Sequence, residues 1–507
     1  MTADGRQLDS TRSADLPQLD YLAAFGYRQE LSRSLGSFSA FAAGFSFVSI
    51  LTTAFQLFGL GYSFGGSRFF WAWPAVFAGQ ILVALTFAEL ASRFPLAGSV
   101  YQWAKHVGGG FSAWLAGWMM LIGCTVAFGA AAIALQVVLP SIWRGFQLVG
   151  SDPSVTSPSG ATNAVLLGVL LIAFTTAANV AGVRVVSRIN DIGVTAEIAG
   201  LAVLLGGLAV AAVRGPAVVI ENHHADQTAS PGMAGLLMAA LMPAYVLYGF
   251  DNAASVAEET VHAPKTAPRA VLRALALSGT LGLALLLLAL MAAPSLTDGR
   301  LATEGLPYII TSAFGGTLGK VLLADVAIAV VVCTLTIQTG TIRLFYAMGR
   351  DGALPMARVL AKVNTRTGAP PWPALISGAL ASGTLLVNLG NPTLFAVLTS
   401  TSVVVVYLAY MLTTIPMLLR RIQNRYPQAE PGQFSLSRYG LAVNAAAVAY
   451  GVLMTVNIAW PRHEVYDPSG SGKWWSLLFP AVFVTASVCT GWACWTFTRR
   501  KPAAARL

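Results

Sequence analysis

Residues 238–259 read MAALMPAYVLYGFDNAASVAEE, and how this stretch sits decides the fold. Its flanks are apolar enough to cross a bilayer, yet its middle carries Pro243, Tyr245, Tyr248, Gly249, Asp251 and Asn252. A charge at mid-bilayer is costly, so a carboxylate beside glycine has no place in an unbroken helix. The stretch makes sense if the helix unwinds over residues 248–251 and its freed peptide groups face a cavity rather than lipid. The competing reading is a kinked helix whose Asp251 pairs with a neighbour and binds nothing. Ionisable residues inside a membrane are functional by default, which favours the broken helix.

Working outward, the chain around this stretch has the same character. Of its 507 residues, 56 % are hydrophobic and only 10 % charged, with mean hydropathy +0.67. Soluble domains carry about 25 % charged residues, so the bulk of this chain belongs in lipid. About twelve apolar segments of spanning length recur, near 38–58, 69–92, 110–139, 161–183, 191–213, 233–257, 270–293, 319–347, 372–390, 393–419, 439–460 and 475–497. The expected class is all-α and polytopic.

Net charge is +10, but its distribution excludes a nucleic-acid reading. With the N-terminus inside, 24 of the 31 Lys and Arg fall on inner segments. The outer ones keep only Arg68, Arg144, Arg214, Arg300, Lys320, Arg462 and Lys473. That asymmetry is the positive-inside rule, and the basic charge reflects topology and anionic lipid. Both termini are therefore predicted cytoplasmic in a multi-pass protein of the plasma membrane. Residues 1–37 are polar, with no cleavable signal expected. Cys124, Cys333, Cys489 and Cys494 fall in apolar segments and read as small hydrophobes. No metal site or other cofactor is expected, and His223–His224 reads as a solvated outer loop. Trp71, Trp73, Trp114 and Trp118 are expected as interfacial anchors.

The first span, FSAFAAGFSFVSILTTAFQLFG, is punctuated by Gly44, Ser46, Ser49, Thr52 and Thr53. Small hydroxyl residues serve ordinary helix packing, but the sixth span is interrupted too. The two are five spans apart, so they run in opposite directions. Two five-span halves of opposite orientation are the mark of an inverted-repeat transporter, its site lying where the broken helices meet. The halves would be 38–213 and 233–419, with peripheral spans over 439–497 and a tail over 498–507.

Glu197 lies about two turns inside the membrane from the cytoplasmic end of the fifth span, and its long apolar sequel denies it an outward route. It can take and release a proton, balance a cation, or bond to a neighbouring helix. Glu89 and Arg93, four apart, are expected to tie inner loops together. Glu258 and Glu259 are expected to face Lys265, Arg269 and Arg273, as an inner gate or a solvated cluster. In the eighth span Thr334, Thr336, Gln338, Thr339 and Thr341 offer hydroxyls to a cation or to interhelical bonding.

Four stretches, AFGYRQELSRSLGSFSAFAAGFSFVSI, ELASRFPLAGSVYQWA, YGFDNAASVAEETVHAPKTAPRA and RLFYAMGRDGALP, resemble in order and spacing the amino acid–polyamine–organocation permeases. The first and third are most similar to the amino acid/choline branch, which includes GABA permeases. The resemblance implies a LeuT-like fold, ten core spans in two inverted repeats plus two peripheral ones. It implies a substrate carboxylate received at Leu51, Thr52 and Thr53, and an amine at Tyr248, Gly249, Phe250 and Asp251. Tyr245 falls where similar permeases place an aromatic gate. Where several proton-coupled relatives carry a lysine, this chain has Glu197, so lysine-style coupling does not carry over. Glu197, with Thr339, is then the candidate for coupling to H+ or Na+.

The implied function is secondary active import of an amino acid or a related amine, by symport or exchange. A transporter of choline, ethanolamine or polyamine is the near alternative, and a transporter-like sensor without flux the distant one. An enzyme is not expected: no nucleotide loop or paired catalytic acids stand out.

Overall fold

A chain this apolar can span a bilayer only by satisfying its backbone groups within each segment, which helices do. The computed structural model describes residues 21–221, 232–390, 392–467, 470 and 474–499. Among them there is no strand, only an isolated parallel bridge between Leu35 and Thr260. His223, His224, Asn391, Lys473, the first 20 residues and the tail from 500 lie outside the described residues.

Among the described residues, ten apolar helical stretches are long enough to cross a membrane. The first of these, Ser37–Arg93, holds two passes. One is α1 (Ser37–Val48) continued by α2 (Ile50–Gly65), the other α3 (Ala72–Arg93), with a tight 3-10 turn between them. The discontinuous stretch α8 (Met233–Ala239), α9 (Leu241–Val246) and α10 (Asn252–Ser255) adds one more pass, making twelve. A short helix, α4 (Ser99–Val107), precedes α5 (Gly110–Ile142), which is followed by α6 (Pro158–Ala181) and α7 (Val183–Val210). The second half continues with α11 (Ala263–Ala292), α12 (Gly316–Arg350), α13 (Pro371–Gly390) and α14 (Pro392–Ile422). α15 (Gly440–Ala459) and α16 (Phe479–Arg499) close the chain.

Packing sets the centre. α5 and α12 lie against each other, α5 also against α14, while α1 packs on α11, α7 and α12. Alanine and glycine on these faces let the backbones approach closely. Gly44 is an instance: a Cβ there would lie 2.9 Å from the Cβ atoms of Ala253 and Ala274. α16 is peripheral, with most of its surface left for lipid.

Three details differ from the sequence expectation. α7 starts at Val183, directly after Gly182, so the inner loop read before the fifth span is helical. Gly182 makes that corner at φ 118°, against the Thr367 carbonyl, where a Cβ would come within 2.7 Å. Trp73 is not an interfacial anchor. Its ring is buried in the notch left by Gly282, and its indole N–H donates to the Gly279 carbonyl at 2.8 Å. Trp114 is likewise buried, whereas Trp71 stays half exposed.

Candidate functional site

The first span breaks at a single residue. Ser49 sits at φ 31°, ψ 91°, between α1 and α2. Positive φ is uncommon for a residue with a side chain, and local hydrogen bonding holds it there. Its N–H donates to the Phe45 carbonyl (2.8 Å), and its own carbonyl accepts from the Thr53 N–H (3.0 Å). The break thus comes two residues before the expected one. Leu51, Thr52 and Thr53 form the first turn of α2 because Ser49 caps it, its hydroxyl oxygen accepting the Thr52 N–H at 3.4 Å.

Glu197 of α7 reaches this same point. Its Oε1 accepts from the Ser49 hydroxyl (2.9 Å) and faces the Leu51 N–H at 3.5 Å. A helix N-terminus presents unpaired N–H groups and the positive end of the dipole. Here the chain's own carboxylate stands before it. Glu197 is fully buried, and its second oxygen, Oε2, has no hydrogen-bond partner among the described residues. Beside it, the Cys333 thiol donates to the Phe47 carbonyl at 3.6 Å.

The second interruption lies where the sequence places it. α9 ends at Val246, residues 247–251 are non-helical, and α10 follows. Gly249 has φ 84°, and a Cβ there would lie 2.0 Å from the Phe47 ring. Only glycine permits that turn and that approach. Its N–H donates to the Tyr410 hydroxyl (2.9 Å), which in turn donates to Asp251 Oδ1 (2.5 Å). The Ser99 hydroxyl, at the start of α4, donates to Asp251 Oδ2 (2.9 Å). Both carboxylate oxygens of Asp251 are thus engaged by the protein. The buried Phe250 ring packs against Tyr410 and Phe87. By contrast, no described group donates to the carbonyls of Val246, Leu247 and Tyr248, at the negative end of α9.

Between the two breaks, the Phe47 ring meets the Tyr248 ring edge-on at 5.9 Å, and Tyr248 meets Tyr245 at 5.7 Å. A cavity opens behind them, lined by Phe47, Thr53, Gln56, Tyr245, Tyr248 and Cys333 with parts of α5 and α12. Its volume is about 10 Å³, room for about one water molecule.

Thr339 lies apart from this centre. Its hydroxyl donates to Asn179 Oδ1 and to the Leu335 carbonyl (both 2.9 Å), tying α12 to α6. On α12 the Thr336 hydroxyl shares an acceptor with Ser46 of the first span: both donate to Asn190 Oδ1 of α7 (2.9 and 2.7 Å). Ser49, Ser99, Asn190 and Tyr410 carry much of this network. Only Ser49 stood out in the sequence, as one of the first span's hydroxyls. The other three are single polar residues whose partners come from distant segments.

One face of the protein is closed by buried ion pairs. Arg343 holds Glu259 through two bonds (2.8 and 3.0 Å), and Arg350 holds Glu258 likewise (2.8 and 2.9 Å). Glu258 also accepts the Ala97 N–H at 3.0 Å. These partners replace the expected Lys265, Arg269 and Arg273. The two glutamates are fully buried, and a buried carboxylate needs a planar, bidentate donor. Arg343 and Arg350, two turns apart on α12, supply it. The N-terminal segment crosses the same face: Ser34 and Leu35 donate to the Glu259 carbonyl, and the Tyr27 ring lies 3.8 Å from the Arg350 guanidinium. Glu89 pairs with Arg93 as expected, and with Arg421 as well. At the rim, Lys105 bonds Asp351 at 2.7 Å. Burial works to lower the Lys105 pKa, but that carboxylate lifts it above the ordinary value.

The sequence profile of the family described as amino acid permease matches residues 35–486. The chain is 31 % identical to amino-acid permease BAT1 of Arabidopsis thaliana, over 87 % of this chain and 88 % of that one. It is 28 % identical to the BAT1 homolog of Oryza sativa subsp. japonica, over 87 % of each. Amino-acid permease 2 of Neurospora crassa is 24 % identical, over 90 % of this chain and 84 % of its own length.

Proposed function

The chain belongs to the amino acid permease family, and from that premise we propose that it imports an amino acid, or a related amine such as GABA, by cation-coupled alternating access. Its halves, 38–213 and 233–419, act as inverted repeats that rock about the central site, with 439–497 peripheral. The ion-paired face is the cytoplasmic one, with both termini on that side of the plasma membrane.

The observation that carries this reading is the pair of facing helix breaks with Glu197 at the first. The positive end of the α2 dipole suits a substrate carboxylate at Leu51, Thr52 and Thr53, which would displace the Ser49 and Glu197 contacts there. The free carbonyls ending α9 at Val246, Leu247 and Tyr248 suit an amine. Glu197 Oε1 already faces the Leu51 N–H. Two carboxylates at one helix end repel, so a proton on Glu197 favours substrate binding, and substrate favours the proton. That reciprocity supplies a physical basis for proton coupling and favours H+ over Na+. Tyr245 and Tyr248 gate the cavity. Asp251 acts on the site through Tyr410 and Gly249 rather than by touching substrate.

The test is uptake of a radiolabelled panel of the twenty amino acids, GABA, choline, ethanolamine and putrescine into proteoliposomes, with proton and sodium gradients imposed separately. Accumulation of an amino acid or GABA under an acid-outside gradient is the expected result. Accumulation under a sodium gradient alone overturns proton coupling. Uptake of choline, ethanolamine or putrescine alone overturns the substrate class, and binding without uptake favours a sensor.

A further inference from the structure

Glu197 is not the only acid on its seam. Asp325 of α12 lies about 14 Å along the helix from its start at Gly316, well inside the span. It is half-buried, and no described residue gives either of its oxygens a hydrogen bond or an ion pair. Its carboxylate rests on the α7 backbone at Gly200, where a Cβ would lie 1.8 Å from Oδ2. Gly200 is three residues beyond Glu197 on α7, hence on the same helix face. The Gly200 contact thus brings Asp325 to the face of α7 that carries Glu197.

The surroundings narrow what this pair does. α7 packs against α12, α1, α11 and α6. From α12, Asp325 and the Cys333 thiol are the titratable groups on the Glu197 side; among the described residues α1, α6 and α11 contribute none. Among the described residues no cation forms an ion pair with either acid. An unpaired carboxylate at this depth is costly, and two on one seam cost more, so a proton on either relieves both. Glu197 has a place for it. Its Oε1 accepts the local hydrogen bonds while the buried Oε2 accepts none.

We propose that Asp325 is the second acid of a proton path along the seam between α7 and α12, ending on Glu197. Asp325, half-buried, takes a proton that water delivers along the seam from the face opposite the ion pairs. In the transfer the two side chains swing together past Gly200, the Asp325 O–H bond breaks as an O–H bond forms on Glu197 Oε2, and Asp325 is left as the carboxylate. Gly200 keeps the seam narrow enough for that exchange. This inference rests on the proton-coupled reading above and names its entry residue.

The experiment uses the full chain in proteoliposomes, with whichever panel member the wild type accumulates. Asp325→Asn is expected to lower accumulation under an acid-outside gradient at least tenfold, while counterflow at equal pH persists; Asp325→Glu restores part of the gradient-driven uptake. Gly200→Ala, which changes no charge, is expected to slow it as well. Asp325→Asn with wild-type accumulation overturns the inference. If Glu197→Gln also accumulates normally, proton coupling itself fails; if only Glu197→Gln loses accumulation, the entry residue alone is wrong. A second readout needs no substrate: dicyclohexylcarbodiimide modifies protonated acids in apolar surroundings, and mass spectrometry of the purified chain follows its attachment to Glu197. The pH profile of that labelling is expected to change in Asp325→Asn, and an identical profile overturns the proton's passage between the two acids.

Discussion

The two helix breaks look alike in outline and differ in how their polar groups are satisfied. At the second, Asp251 is bonded through both oxygens to Tyr410 and Ser99, Gly249 is held by Tyr410, and further along Glu259 is clamped by Arg343. At the first, Glu197 keeps an oxygen without a partner among the described residues and stands before a helix N-terminus. A fully bonded carboxylate fixes geometry. One left half-satisfied can change its proton or its partner. The lesson is that position in a broken helix does not by itself fix how a carboxylate is satisfied; the donors around it do.

This contrast can be broken or sharpened in four ways. The largest effect is expected at Glu259→Gln, which leaves the buried Arg343 without its anion. Losing one member of a buried pair costs about 3–5 kcal/mol, read as a large fall in Tm in detergent; an unchanged Tm would mean the clamp is ornamental. Next is Asp251→Ala, which strands the Tyr410 and Ser99 hydroxyls. The expected cost is about 1–3 kcal/mol of stability, while Kd for substrate, in protein that remains folded, stays near wild type. A weakened Kd with unchanged Tm would return Asp251 to the substrate.

Third comes Glu197→Gln, nearly isosteric and without a proton to exchange. Gradient-driven uptake is expected to fall at least about tenfold, about 1.4 kcal/mol, with a smaller loss of substrate binding and little change in Tm. Normal accumulation would remove Glu197 from the mechanism. The smallest effect concerns His106, at the far end of the helix that begins with Ser99. Its ring stacks on Phe94 at 4.7 Å, and burial lowers its pKa. The folded state thus prefers neutral histidine. Its contribution is intact above the ordinary histidine value near 6.5 and is lost as pH falls below it, when the unfolded chain takes up the proton first. Tm of the wild type should drop slightly between about pH 7 and 5, and His106→Gln should flatten that part of the slope.

Much of the architecture was legible in advance because hydropathy over twenty residues is a strong, local signal. The spans, their all-helical character and the interrupted sixth helix needed no tertiary information. At the first break the hydroxyl-rich run marked the right region but not the right residue. The expected 51–53 became a helical turn, since the cap belongs to whichever hydroxyl best reaches the next N–H groups. The partners of Glu258 and Glu259 were misjudged for a related reason. Sequence proximity pointed to Lys265, Arg269 and Arg273, but burial selected guanidinium groups more than eighty residues away. Asp325 drew no notice at all, since a single acid near the start of an apolar run is indistinguishable from a solvated end until its depth is known.

What the sequence alone determined is how many times the chain crosses the membrane and which crossings are interrupted. Apolar length and misplaced polar residues are properties of the segment itself. What only the tertiary structure decided is the standing of each buried charge. Asp251, Glu197, Glu259 and Asp325 are equivalent as letters in apolar surroundings. Asp251 is bonded at both oxygens, Glu259 is clamped by Arg343, Glu197 is half-satisfied and Asp325 has no described partner, according to the donors that distant helices bring to them, because inside a low-dielectric medium a carboxylate's behaviour is set by its hydrogen bonds and neighbouring charges.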